Sequence, residues 1–139
     1  MSIGDIKSIA AYGMLQQRMI IEAAGMNIAN ANKHLKAGDS SQLFRVDVPK
    51  VDWMQASSTT SSDINYPKLK ITSDNIPLKS SYSPNDPNAD SSGMTWRPDI
   101  DTTQQLIDVV SANRAYEANL RVYNAAGSMG SKIMELGGK

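Results

Sequence analysis

The side chains of this chain that could do chemistry are few and far apart. His34 is the single histidine. Metal binding or histidine-based proton transfer would need partners at ligand spacing, and the residues around it supply none. It reads as a surface or helix-end residue. Cysteine is absent, which excludes disulfides and thiolate metal sites. Asp99 and Asp101 lie close together, but they precede a helical stretch and read as helix-start charges rather than as a catalytic pair. There is no P-loop and no Gly-x-Gly-x-x-Gly run. What does fall into a pattern is amide chemistry. Asn27 and Asn30 are three apart and share one helix face, where they can hydrogen-bond across a helix–helix contact. A buried Asn at such a position fixes register at some cost in stability. The expected chemistry is recognition between helices, with no catalytic residue, no cofactor and no metal.

Two helical segments must position those groups, one at each end of the chain. From Leu106 the residues Leu106, Val109, Asn113, Tyr116, Leu120, Tyr123, Gly127, Gly130 and Met134 recur at alternating steps of three and four. That is a coiled-coil seam carried over roughly four heptads. The N-terminal segment has a broader stripe: Ile3, Ile6, Ala10, Gly13, Met14, Gln17, Ile21, Ala24 and Ile28. Residues 2–33 are expected to form one helix, with Ser2 and Asp5 capping and charging its start. Asp101 or Thr102 is the expected N-cap of the second helix, which ends at Gly137-Gly138. Gly127 and Gly130 both fall on the seam, where they would allow close helix approach; a helix-interior Gly otherwise costs about 1 kcal/mol.

The stretch between the helices has a different character. Phe44, Val46 and Val48 alternate with Arg45 and Asp47, as in a short strand with one apolar face, and Pro49 stops it. Tyr66, Leu69, Ile71, Ile76 and Leu78 suggest a strand pair about a turn at Ser73-Asp74-Asn75. Residues 57–63 read as a mobile low-complexity loop, and 83–93 as a connector without regular structure. The expected fold is mainly α: two long terminal helices pairing as a coiled coil, with a small irregular or β-hairpin middle. The divisions are 1–33, 34–98 and 99–139. The middle has too few large apolar residues for a core of its own, so it is expected to pack on the helices or on a neighbouring subunit.

Composition narrows the function further. The chain has 139 residues, with 14 basic and 14 acidic side chains and no net charge. Bulk charge therefore attracts neither nucleic acid nor an anionic membrane. No run of about 18 apolar residues is present, so no membrane insertion is expected. The N-terminus lacks the features of a cleavable signal peptide. One Phe, two Trp and five Tyr make a large aromatic core impossible, while eight Met suit helices that meet irregular neighbours.

Three stretches resemble a known family. Gln17 to Asn32, with Asn27-Ile28-Ala29-Asn30-Ala31 at its centre, resembles the N-terminal signature of bacterial flagellar rod and hook proteins. The run Tyr82, Pro84, Pro87, Ala89, Asp90 and Gly93, followed by Pro98 and Asp101, is similar to the connector of the proximal-rod type in that family. Ser111 to Asn119 is similar to its C-terminal helix. Residues 1–48 and 80–139 carry the resemblance. Lys33 and Phe44 depart from the usual residues, and 49–79 matches poorly.

The resemblance implies a structural subunit of the flagellar proximal rod, a helical drive shaft that crosses the periplasm and encloses the export channel. It implies other proximal and distal rod subunits, the MS-ring and export-gate base and a rod-base adaptor as partners. It also implies export by the type III apparatus without a cleaved signal. The seam residues would then be subunit contacts, with Asn27, Asn30, Asn113 and Asn119 setting register. Other readings are a different axial subunit, of rod, hook or inner-rod kind, and a small helical export adaptor or chaperone that binds a partner helix.

Overall fold

The computed structural model describes residues 3–36, 38–48 and 66–137. The expectations placed on Ser2, Pro49, residues 57–63 and Gly138 lie outside them. Helix α1 runs Ile3–Ala31 and helix α2 runs Thr102–Gly137. At 1.5 Å per residue these are about 44 Å and about 54 Å long. Between them lie four strands: β1 (Ser41–Asp47), β2 (Lys70–Ile76), β3 (Leu78–Tyr82) and β4 (Met94–Pro98). The protein is mainly α, with a small β middle.

The helices pack antiparallel along most of α1. Asn27 meets Gln105 near one end, Gly13 lies against Asn119 in the middle, and Ile3 reaches Gly130 at the other end. The last two turns of α2 extend beyond Ile3. Small residues fill this contact. Among the described residues the buried hydrophobic side chains are Ala10, Ala23, Ala24, Ala31, Leu35, Ala112 and Ala126. Alanine and glycine let the two backbones approach closely, but each removes little apolar area from water.

α2 starts because Asp101 caps it. The Asp101 Oδ1 accepts hydrogen bonds from the Thr103 N–H at 2.9 Å and the Gln104 N–H at 3.2 Å, satisfying two donors that have no partner inside the helix.

Two antiparallel two-stranded sheets form the middle, β1 with β2 and β3 with β4. The expected turn at Ser73-Asp74-Asn75 does not form. These residues lie inside β2, where Phe44 faces Ser73 and Leu43 faces Asp74. Pairing with β1 supplies the backbone partners that a local turn would have supplied, and Arg45 Nη2 reaches Asp74 Oδ2 at 2.8 Å. Pro77 separates β2 from β3, which pair with different strands. Pro98 belongs to β4, opposite Leu78. A bridge between Leu35 and Trp96 ties the exit of α1 to β4, with the Leu35 N–H donating to the Trp96 oxygen at 2.8 Å.

Candidate subunit interface

Asn27 is where three elements meet. It faces inward from the last turns of α1 and is 1% exposed. Its Nδ2 donates to the Phe44 carbonyl of β1 at 2.8 Å and to Gln105 Oε1 of α2 at 2.8 Å. Its Oδ1 accepts from the Phe44 N–H at 2.7 Å. One amide thus occupies both backbone groups of Phe44 on the side of β1 away from β2, and holds the first turn of α2. A side chain with both a donor group and an acceptor is needed, which Asn supplies and Asp or Leu does not. Helical periodicity does not identify Gln105 and Phe44 as its partners. The contacts span 78 residues in one case and 17 in the other, and a local repeat carries no such information.

Further along the helix pair, Gly13 accommodates the Asn119 amide. A Cβ at Gly13 would lie 2.7 Å from Asn119 Nδ2. Lys7 crosses α2 over Gly127, and its ammonium sits 5.2 Å from the centre of the Tyr123 ring, within cation–π range. Gly130 is in looser surroundings, with Ile3 Cγ2 3.7 Å from where its Cβ would be.

The other seam positions divide by helix. On α1, Ala10 and Ala24 are buried, and Ile6, Gln17, Ile21, Ile28 and Asn30 are half-buried. On α2, Val109, Tyr123, Gly127 and Gly130 are half-buried, whereas Leu106, Asn113, Tyr116, Leu120 and Met134 are exposed. The face of α2 turned to α1 runs through Gln105, Val109, Ala112, Asn119, Tyr123 and Ala126, about one residue's rotation from the apolar heptad. The larger apolar residues are left outside: Leu106, Ile107, Val110, Val122, Met129, Ile133 and Leu136 are all exposed.

The connector is built from turns anchored by aspartates. Asp90 Oδ1 accepts from the Ser92 and Met94 N–H groups at 2.8 and 3.0 Å, and the Ser83 N–H donates to the Gly93 carbonyl at 2.9 Å. Gly93 has φ +73°, with Tyr82 and Pro84 packed where a Cβ would point. Tyr82 and Pro87 are exposed, Ala89 is half-buried and Pro98 is buried. Asp99 is not part of any acidic pair; its carboxylate contacts Lys79 Nζ at 2.5 Å.

His34 has a partner that sequence spacing does not show. Its Nδ1 contacts Asp86 Oδ2 in the connector, and Asn88 Nδ2 donates to the His34 carbonyl at 3.4 Å. The Asn88 N–H, donating to Asp86 Oδ1, holds the Asp86 carboxyl below the usual carboxylate range, and His34 adds to this. The contact fastens the connector to the end of α1.

No group of three or more metal-ligating side chains occurs among the described residues, and no helix among them is long and apolar enough to cross a membrane. The polar groups are spent on joining elements to one another.

A family model described as the C-terminal part of flagellar basal body rod FlgEFG proteins matches residues 91–136. The flagellar basal-body rod protein FlgC of Bacillus subtilis is 38% identical over 68 residues, which are 49% of this chain and 45% of that protein. FlgC of Salmonella typhimurium is 29% identical over 139 residues and FlgC of Yersinia enterocolitica 28% over 137, each spanning 99% of both chains. The chain is similar to the flagellar basal-body rod proteins, over its C-terminal third in the family model and over its whole length in the Salmonella and Yersinia relatives. The relatives that it matches are named as basal-body rod proteins of the FlgC type.

Proposed function

We propose that the chain builds the proximal part of the rod, where its paired helices assemble into a helical shaft that transmits torque and encloses the export channel. The observation that carries this is the division of labour on α2. Small residues face α1, while the larger apolar side chains, Leu106, Ile107, Val110, Met129 and Ile133 among them, face outward. A chain that functioned alone would bury them; a subunit keeps them for its neighbours. Contacts whose rotation does not close on itself generate a helical filament. Many small packing contacts along such helices would carry torque without any single strong bond.

In this reading the seam and connector residues are subunit contacts. The partners are other proximal and distal rod subunits, the MS-ring and export-gate base and a rod-base adaptor. The chain reaches the periplasmic rod through the type III export apparatus. Mass spectrometry of purified hook–basal bodies tests the proposal. The chain should be present at a few copies per particle, in fixed ratio to the other proximal-rod proteins. Its absence from intact particles would reject the rod reading in favour of an adaptor or chaperone.

A further inference from the structure

The outward faces of the two helices complement each other, and they cannot meet within one molecule. On α1 the exposed positions other than Ile9 follow heptad steps: Gly4, Ser8, Ala11, Leu15, Arg18, Glu22, Gly25 and Ala29. This stripe is small at both ends and charged at its centre. Gly25 has no reason to be glycine inside the chain, since a Cβ there would meet nothing within 4 Å and an exposed mid-helix glycine weakens the helix. On α2 the face turned away from α1 carries Ile107 and Val110 as large knobs, both at least half exposed. Beyond them lie the charges Arg114 and Glu117, exposed and not paired with each other. Thr103, Leu106, Ile107, Val110, Ser111 and Arg114 line an open groove on this face.

We infer that the outer face of α2 docks on the outer stripe of α1 of a second copy of this chain, in a head-to-tail contact that does not close. The inference rests on the rod reading above and specifies which surfaces meet. Charge sets the alignment. Within one subunit the helices are antiparallel, so copies standing side by side the same way up present α1 antiparallel to the neighbour's α2. In that orientation Glu22 comes level with Arg114 of the next copy while Arg18 comes level with its Glu117. Towards the start of α2 the same register sets large residues against small ones. Ile107 falls over Ala29 and Val110 over Gly25. It also sets Ala11 opposite Ala125. Because the two faces differ, each copy still offers one of them after docking, and the contact propagates.

The chain contains no cysteine, so disulfide trapping is clean. Ala11→Cys and Ala125→Cys are combined in one full-length chain, expressed in motile cells in place of the native protein, and oxidised before basal bodies are isolated. The expected result is covalent oligomers of this chain larger than a dimer, with each single variant remaining monomeric. Basal bodies that contain the chain only as monomer, or cross-linked only to a different rod protein, would overturn the inference while leaving the rod reading intact. Absence of the chain from basal bodies would overturn both. Two substitutions add an independent readout. Gly25→Leu should leave the helicity of the purified chain equal or higher, yet lower its incorporation severalfold. Glu22→Arg should also lower incorporation, and Arg114→Glu in the same chain should restore it. Unchanged incorporation for Gly25→Leu and Glu22→Arg would count against the contact.

Discussion

At the scale of single residues, Asn27 is the most constrained side chain in the fold. Truncation to Ala leaves the Phe44 N–H, the Phe44 carbonyl and the Gln105 side chain to find other partners at a buried site. A stranded buried polar group costs about 1–3 kcal/mol, so Asn27→Ala should destabilise by about 2–4 kcal/mol. Gln105→Ala removes one partner of an amide that keeps two others, and should cost about 1 kcal/mol. Urea unfolding followed by circular dichroism compares the two; equal losses would contradict the ranking. Two glycines should behave oppositely. Gly93→Ala puts a Cβ at positive φ and 3.0 Å from Tyr82 Cε2, and should cost about 1–3 kcal/mol. Gly130→Ala meets only an ordinary contact with Ile3, so it should be neutral or stabilise α2 by up to about 1 kcal/mol in the same assay.

At the scale of elements, the connector is held to α1 by the Leu35–Trp96 bridge and by the His34–Asp86 contact. Leu35 is 6% exposed, and Leu35→Ala should cost about 2–4 kcal/mol through the cavity it leaves. Amide exchange in β3 and β4 should accelerate more than exchange in the middle of α1. The Asp86 contact has a pH signature. Its carboxyl is held below the usual range in the fold, so the unfolded chain takes up the proton first as pH falls. The stability it contributes is therefore present above the unfolded value of about 3.9 and lost as pH drops through the folded value. Asp86→Asn should flatten the acid limb of the pH–stability curve below about pH 4. A limb as steep as the parent's would assign it to other carboxylates. Both helices were legible from the sequence because apolar steps of three and four, sustained over many residues, match the period of a helix and of no other regular element. The strand pairing was not. Ser73-Asp74-Asn75 has turn composition, and only the presence of β1 alongside, with Arg45 reaching Asp74, keeps it extended. β4 carries no clear alternation in Met-Thr-Trp-Arg-Pro, so nothing local separates it from the approach to α2. The candidate interface was half legible for a related reason. Periodicity finds the positions that share a face of α2, but the heptad formed by the largest residues is not the face that packs on α1. Ala112, Asn119 and Ala126 do that packing.

At the scale of the whole molecule, stability has to come from outside the chain. Among the described residues, the buried hydrophobic side chains apart from Leu35 are alanines. An Ala methyl contributes roughly 0.8 kcal/mol on burial, whereas ordering each residue costs about 1–2 kcal/mol of backbone entropy. The helix pair by itself is therefore marginal, and least so where Asn27, Phe44 and Gln105 lock α1, β1 and α2 together. At the opposite end, Ile133, Met134 and Leu136 are all exposed and the last turns of α2 extend past the start of α1. Order should fail there first. The free chain at micromolar concentration should show less helix by circular dichroism than its two helices would give, with the deficit in residues 120–137 by amide exchange. Helicity should rise with concentration as neighbours cover the exposed apolar face, because binding to the folded form alone shifts the equilibrium toward it. Full helix content in dilute monomer, with a cooperative melt independent of concentration, would mean that the pair is stable alone. The outward apolar residues would then serve only to join subunits, with no part in folding them.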